Sequence, residues 1–311
     1  MRPQQKLKAI AFITLAVGLA TSQDAIVKYM TGQFPAYETV AFRGLMATPI
    51  LLFWQWRSVG LKAFNTPMLG LVLLRSFILC TAYIAFVLAI AVMPLANAVA
   101  IYFTMPFFMA AMVGKGLGEK VPLYRWLAIA VGFVGVVITV RPGADTFQPA
   151  SFLALYSAFG YALGQMLSRH ISQKVAPIVI SNWQNLFYIG AALIIGLVVY
   201  ESGLNGTAAL PSLTKAFQWP GSSEIINLIA LGVFSAIGAT AFISAYQNAE
   251  ANFVAPFEYT AMIWAVLFGI FVFHDFPDFY TWLGAAIVIG AGLFMLVMDH
   301  SKSRSLAPLP N

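Results

Sequence analysis

The chain has 311 residues, of which 60% are hydrophobic and only 9% are charged. Because soluble proteins carry about 25% charged residues, this composition excludes an ordinary soluble protein and indicates a polytopic membrane protein. The formal net charge of +6 would suggest nucleic acid as the partner of a soluble chain. Here the basic residues flank apolar segments and report membrane topology, so we expect the lipid bilayer and no nucleic acid as a partner.

Ten mostly apolar windows are long enough, at about twenty residues each, to cross the hydrocarbon core of a bilayer as helices. In chain order they cover residues 7 to 28, 36 to 56, 68 to 92, 95 to 115, 123 to 141, 149 to 169, 178 to 200, 224 to 247, 252 to 273 and 279 to 299. The predicted fold is therefore an all-α integral membrane protein with ten transmembrane helices.

Lysine and arginine are distributed unevenly between the two sides of the predicted bundle. The termini and the even-numbered loops hold 12 of the 17, whereas the opposite side has only Arg141 and Lys215. The positive-inside rule places both termini in the cytoplasm, as expected for a multi-pass protein of a bacterial inner membrane with an even number of spans. A cleaved secretory signal is the alternative interpretation of the first apolar segment.

The chain also contains an internal repeat. Without a gap, residues 95–122 and 250–277 share seven identities in 28 positions. Helices one to five recur as helices six to ten, and because five is odd, the two copies enter the membrane in opposite orientations. The predicted domains are a first repeat at 1–145, a second, inverted repeat at 146–300 and a cytoplasmic tail at 301–311. Inverted repeats are typical of transporters, whose solute site lies near the membrane midplane.

Ionisable side chains within the spans are candidates for gating or for the transport path, since an unpaired charge there costs about 3 kcal/mol. We assign four of them to these roles, namely Asp24, Lys28, Arg43 and Glu258. Arg43 is expected to pair with Asp24 or Glu38, and a structural clamp between helices is an equal alternative. Glu258 and Arg75 lie near the cytoplasmic ends of their helices. Snorkelling is the alternative for Glu258 and the expectation for Arg75.

Aromatic side chains near mid-span form a second group of candidates, because a phenol or an indole there needs a hydrogen-bond partner. With one amide they make up the predicted substrate cavity: Tyr83, Tyr102, Tyr161, Gln165 and Trp264. Helix packing is the alternative explanation for the aromatic residues. Pro106 and Pro256 each remove a backbone donor, so a kink is expected in the fourth and the ninth helix. Irregular backbone at membrane depth lines a cavity or packs against protein.

Motifs for nucleotide hydrolysis and for metal binding are absent from the sequence. No Walker loop follows a strand, and the three histidines stand far apart without ligand spacing. Two acids close enough for a catalytic dyad are also lacking, since Asp24 and Glu258 are placed in opposite halves of the membrane. We therefore expect neither an enzyme, a metal site nor a cofactor.

Two motifs resemble the EamA-type members of the drug/metabolite transporter (DMT) superfamily. One is Pro35 through Arg43, with its Pro-x-x-x-x-x-x-Phe-Arg pattern, and the other is Pro106 followed by Gly118-Glu119-Lys120 and Pro122. The second copy departs from the pattern at Ala261. Overall the chain is most similar to YddG-type exporters of aromatic and other amino acids. The resemblance implies a central cavity and alternating access.

The predicted function is a secondary transporter, in the simplest case a monomer, that exports small neutral amino acids or related metabolites. Efflux of cationic drugs or of another small metabolite is the alternative. A membrane scaffold or a channel is the competing class of protein, and it would show no saturable exchange.

Overall fold

The computed structural model describes residues 3–66, 68–116, 122–141, 148–202, 215, 217–248 and 255–305, and all regular structure in these ranges is helical. The α-helices are α1 (Pro3–Gln33), α2 (Ala36–Ser58), α3 (Leu69–Val92), α4 (Leu95–Tyr102), α5 (Met105–Gly116), α6 (Leu123–Val140), α7 (Ala150–Ile171), α8 (Pro177–Glu201), α9 (Ser222–Asn248), α10 (Ala261–Phe273) and α11 (Phe279–Ser305). Short 3₁₀ helices cover Leu61–Phe64 and Ala255–Thr260.

The ten apolar windows coincide with these helices, so the fold prediction is confirmed. The fourth window contains both α4 and α5, and the ninth contains the 3₁₀ helix Ala255–Thr260 followed by α10. Length and hydropathy alone allow four of the described helices to cross a membrane, namely Leu7–Gln33, Leu69–Val92, Leu123–Val140 and Pro177–Glu201. The Glu119 hairpin and residues 306–311 of the predicted tail lie outside the described residues, whereas residues 301–305 continue α11.

Each major helix–helix contact either has a counterpart in the other repeat or joins two equivalent helices. The extensive contact of α1 with α9 has its counterpart in that of α7 with α3, while α2 packs on α8 and α6 packs on α11. Close approach of the last pair depends on a glycine, because a Cβ on Gly135 would lie 2.8 Å from the carbonyl oxygen of Gly284. The two five-helix repeats are therefore interleaved, and each contributes to a shared centre.

Irregular backbone occurs at the same level of the repeat in both halves. In the first half, Phe103 and Thr104 separate α4 from α5, just before Pro106, which has no N–H to reach back to the carbonyl of Tyr102. The equivalent positions of the second half, 155 residues later, fall within the 3₁₀ helix Ala255–Thr260. The two prolines are not equivalent, yet backbone that is not α-helical occurs at equivalent positions of the two copies, as it does in transporter helices beside a solute site.

Helix α1 is an integral part of the bundle. Ala9, Ile13 and Val17 are buried and form a cluster with Ala245 of α9. A segment removed after secretion would have no such packing to make. The contacts therefore favour a permanent transmembrane helix over the cleaved-signal interpretation.

Candidate functional site

An arginine and two tyrosines meet in the middle of the bundle. The guanidinium carbon of Arg43 in α2 lies 4.4 Å from the ring centre of Tyr83 in α3 and 5.8 Å from that of Tyr188 in α8. The two rings are 5.3 Å apart. A cation over aromatic faces is stabilised by the negative potential of the rings, which offsets part of the cost of burying the charge.

A second aromatic group adjoins the first. The rings of Tyr102 at the end of α4 and Tyr161 in α7 meet edge to face at 5.6 Å, and Phe86 lies 5.4 Å from Tyr102. Gln165, one turn after Tyr161, lies beside the Tyr161 hydroxyl. We call Arg43, Tyr83, Tyr102, Tyr161 and Tyr188 the tyrosine cluster. It includes four of the residues predicted from the sequence, and a fifth predicted residue, Gln165, lies next to it.

Two of the acids within the predicted spans, Asp24 and Glu258, lie at this cluster. Asp24 interacts electrostatically with Arg43 and Tyr102, without a direct ion pair to Arg43, and Glu258 interacts with Tyr102 and Tyr161. The side chains of Asp24, Arg43 and Glu258 are only half-buried although their helices lie inside the bundle. These three side chains are therefore not fully enclosed by the helices around them.

Two polar atoms of the cluster lack a well-formed hydrogen bond to the protein. Nη1 of Arg43 and the hydroxyl of Tyr83 are buried and meet no partner at full hydrogen-bond geometry, although Arg43 and Gln23 lie close to that hydroxyl. Nη2 of Arg43 donates to Oγ of Ser235 over 3.5 Å. Buried polar groups in proteins are almost always satisfied by protein, water or a ligand. The cluster thus offers an N–H donor and a phenol next to aromatic faces.

Arg75 is a member of the site that the sequence did not reveal. It is 9% exposed, and its Nε and Nη1 donate to Oγ of Ser168 and to Oε1 of Gln184. Gln184 in turn donates to the hydroxyl of Tyr188 over 2.5 Å. The snorkelling prediction was wrong, because polar partners on α7 and α8 hold the guanidinium inside the bundle. The sequence feature that could have predicted a polar environment for Arg75 is the pair Gln184 and Tyr188, which stand one turn apart in the seventh span.

Polar contacts close the end of the bundle opposite the chain termini. Lys28 Nζ donates to the carbonyl oxygen of Met93 over 2.7 Å and lies 3.6 Å from a carboxylate oxygen of Asp275. It also lies 5.1 Å from the ring centre of Phe273. One lysine of α1 thus connects the end of α3 with the turn that follows α10.

A second set of contacts at the same end ties α6 to α11. Arg141 Nη2 lies 2.5 Å from Asp278 Oδ2. Asp278 Oδ1 accepts from the backbone N–H of Thr281 over 2.8 Å, and the Thr281 hydroxyl lies 2.7 Å from that oxygen and 3.0 Å from Asn97 Oδ1. We call these residues, with Lys28 and Asp275, the far layer. It spans both repeats and joins their helices at this end of the bundle.

Trp264 is placed differently from the other predicted cavity residues. A Cβ on Gly18 would lie 3.3 Å from its indole Cε2, and its ring stacks on Phe268 at 6.4 Å. It packs with the apolar cluster of α1 around Ile13. Its described ring contacts do not include the tyrosines, so the structure places Trp264 in the interface between α1 and α10.

The model of the EamA-like transporter family matches the chain twice, at residues 7–141 and 148–298. The chain belongs to the EamA-like transporter family. This assignment confirms the resemblance to the DMT superfamily and identifies a membrane transporter, not an enzyme. The narrower likeness to YddG-type exporters stays a prediction.

Relatives of this EamA-like transporter carry the names of two kinds of solute. A protein of Vibrio cholerae named riboflavin transporter is 29% identical over 295 residues, which cover 93% of each chain. A protein of Rickettsia conorii named S-adenosylmethionine uptake transporter is 24% identical over 94% of each chain. A solved crystal structure with 16% identity superposes with a TM-score of 0.62, covering 97% of this chain and 99% of that one, and shows the fold alone.

Proposed function

We propose that this protein is an alternating-access carrier for a planar heterocyclic metabolite, with riboflavin as the first candidate. The observation that carries the proposal is the pair of unsatisfied groups, Arg43 Nη1 and the Tyr83 hydroxyl, among tyrosine faces. The names of the relatives support it, because riboflavin and S-adenosylmethionine both contain a planar nitrogen heterocycle.

The chemistry of the cluster suits such a ring. Aromatic faces such as those of Tyr102 and Tyr161 favour offset or edge-to-face contacts with another planar ring. Ring carbonyls and ring nitrogens are acceptors for Arg43 Nη1 and the Tyr83 hydroxyl. The solute needs no net charge, since Asp24 already lies near Arg43. A carrier also needs loose binding, which a few stacking contacts and two hydrogen bonds provide.

The far layer supplies the closed end of the transport path in this proposal. With both termini in the cytoplasm, as the distribution of lysine and arginine predicts, the far layer faces the outside of the inner membrane. Opening it separates Lys28 from Asp275 and Arg141 from Asp278. Asp24 and Glu258 lie beside the solute and are the candidates for coupling the cycle to protons.

Export of amino acids, the function predicted from the sequence, is the second candidate. Asp24 and Arg43 present opposite charges in one cluster, and a zwitterion carries opposite charges as well. The aromatic faces would then hold an aromatic side chain. Efflux of a cationic drug has less support, because Arg43 occupies the centre of the cluster.

Riboflavin fluorescence tests the proposal, because stacking of a flavin on tyrosine quenches its emission. We expect saturable quenching when purified protein in detergent is titrated into riboflavin. Competing heterocycles such as adenosine should relieve this quenching. Relief by phenylalanine but not by adenosine would favour the amino-acid candidate. Quenching that grows linearly with protein concentration would contradict the proposal.

A further inference from the structure

A cavity lies at the far layer, away from the tyrosine cluster, and four far-layer residues line it: Asn97, Arg141, Asp278 and Thr281. It has a volume of about 200 Å³ and is bounded by the ends of α3 and α6 and by the starts of α4, α7 and α11. One water molecule needs only about 15 Å³ on such a scale, and a cavity of roughly 150 Å³ can hold a benzene ring. The space is therefore sufficient for a small ring-shaped solute.

Two residues of the cavity wall each carry a buried polar atom, of opposite kind, that has no partner in the described part of the chain. The two atoms are Nε of Arg141, a donor, and Oε1 of Gln148, an acceptor. Nη2 of Arg141 contacts Asp278, and the guanidinium lies 5.0 Å from the ring centre of Tyr280. The Nε hydrogen has no acceptor among the described residues, so a solute in the cavity is a candidate acceptor.

Asn97 adds a second donor to the cavity wall. Its Oδ1 lies 3.0 Å from the hydroxyl of Thr281, so its amide nitrogen is the part left for a ligand. Phe276, Val140 and Pro277 supply an apolar wall. The combination of two donors, one acceptor and an apolar face is that of a small-molecule site.

The backbone at Arg141 points to the same conclusion. Arg141 ends α6 in the left-handed region, with φ 48° and ψ 61°, a conformation that favours glycine at helix ends. The turn itself gains nothing from a long side chain. Arginine at this position supplies the contact with Asp278 and the free Nε donor, and backbone strain of this kind is concentrated at functional sites.

We propose that this cavity is a second solute site, which binds a neutral ring with an amide or imide group. The ring carbonyl accepts from Arg141 Nε and the Asn97 amide, and the ring N–H donates to Gln148 Oε1. The ligand is neutral, because the charges of Arg141 and Asp278 already compensate each other. Because Arg141 and Asn97 are both members of the far layer, a bound solute touches the groups that close the path.

Uracil is the probe, because it presents an imide edge and fits a small cavity. Binding to the purified full-length protein in detergent is measured by calorimetry, with 1,3-dimethyluracil as the control that lacks an N–H. Arg141→Lys keeps a positive charge for Asp278 but removes Nε, and Gln148→Leu removes the acceptor. We expect each variant, and dimethyluracil with the wild type, to weaken binding about tenfold, the effect of losing one or two hydrogen bonds.

A central-site variant separates this proposal from the proposed transport function. Tyr83→Phe should leave uracil binding unchanged, while it weakens riboflavin binding. Wild-type protein that shows no saturable uracil binding would overturn the second site, as would binding unaffected by both Arg141→Lys and Gln148→Leu. Loss of uracil binding in Tyr83→Phe would assign uracil to the tyrosine cluster instead. Should Arg141→Lys fail to fold, Gln148→Leu alone decides, with Asn97→Ala as the second variant.

Discussion

The guanidinium carbon of Arg43 lies 4.4 Å from the centre of the Tyr83 ring, so a cation and an aromatic face meet midway through the bundle. The contact accounts for a charge at a depth where charges are costly, and it leaves Nη1 of Arg43 and the Tyr83 hydroxyl without a well-formed hydrogen bond to the protein. The contact between the Arg43 cation and the Tyr83 ring stabilises the cluster. It also leaves polar atoms of both residues available to a ligand, as the proposed function requires.

Arg43→Lys should reduce solute flux at least about tenfold without loss of folded protein. Lysine keeps the charge, but it lacks the planar group that stacks on Tyr83 and the separate N–H donors of the guanidinium. Flux is measured in liposomes at equal amounts of folded protein. Arg57→Lys at the exposed end of α2 is the control and should be neutral. Equal flux in Arg43→Lys and the wild type would remove Arg43 from the transport path.

Tyr83→Phe should mainly weaken solute binding, whereas Tyr188→Phe should mainly lower the stability of the protein. The Tyr83 hydroxyl makes no well-formed hydrogen bond, so Tyr83→Phe should change the melting temperature little and weaken solute binding about fivefold. The Tyr188 hydroxyl accepts from Gln184, so Tyr188→Phe should lower stability by about 1 kcal/mol. Thermal unfolding and riboflavin titration of both variants check this. A stability loss confined to Tyr83→Phe would contradict the assignment.

Arg75→Leu should destabilise the protein by about 1–3 kcal/mol, because it leaves Oε1 of Gln184 without its donor inside the bundle. An arginine that snorkelled to the lipid headgroups would tolerate the change. The free energy of unfolding in detergent distinguishes the two cases, with Arg57→Leu as the exposed comparison. Equal stability of Arg75→Leu and Arg57→Leu would speak against the hydrogen-bonded chain from Arg75 to Tyr188.

Asp278 precedes α11, where its carboxylate caps the helix and pairs with Arg141. Burial raises the pKa of this carboxyl, but the Thr281 hydrogen bonds and Arg141 together hold the pKa below its ordinary value. Its stabilising contribution is therefore present above the unfolded-state pKa and is lost as the pH falls through the folded-state pKa.

Two substitutions of Asp278 separate the cap from the ion pair. Asp278→Asn keeps a side chain that caps well and loses only the ion pair, whereas Asp278→Ala also loses the cap and about 1 kcal/mol with it. We expect Asp278→Ala to have the lower melting temperature at neutral pH. The difference between wild type and Asp278→Asn should disappear in acid. A difference that grew as the pH fell would contradict the lowered pKa.

Lys28→Gln should loosen the far layer, since the amide cannot replace the charged contacts with Met93 and Asp275. Cys80, the single cysteine, is buried one turn before Tyr83 and serves as the reporter. A membrane-impermeant thiol reagent added outside should label Cys80 faster in Lys28→Gln than in the wild type. Lys215→Gln, which frees only carbonyls at the end of α1, is the control. Equal labelling in both variants would argue against the far layer as a closure.

Local patterns in the sequence predicted the helices and four members of the tyrosine cluster. Ten apolar windows define the spans because a buried backbone must be helical in lipid, and Pro106 predicted the interruption that follows Tyr102. Tyr83, Tyr102 and Tyr161 were recognisable because polar groups at mid-span need partners. These features depend on one segment at a time.

Features that depend on contacts between distant segments were not predictable in this way. Arg75 is held inside by Ser168 and Gln184, which belong to other helices, and Trp264 is drawn to α1 because Gly18 leaves room for its ring. Nothing near Arg141 in the sequence indicates that Asp278 is its partner. A single sequence without aligned relatives does not indicate which distant residues contact each other.

Counterflow of labelled riboflavin in liposomes that contain the purified protein tests the central claim most directly. The account predicts saturable exchange with unlabelled riboflavin inside the vesicles, and a fall of at least about tenfold in Arg43→Lys while Arg57→Lys exchanges normally. No exchange of riboflavin by folded wild-type protein, or equal exchange by Arg43→Lys, would contradict the claim that the tyrosine cluster carries a planar heterocycle across the membrane.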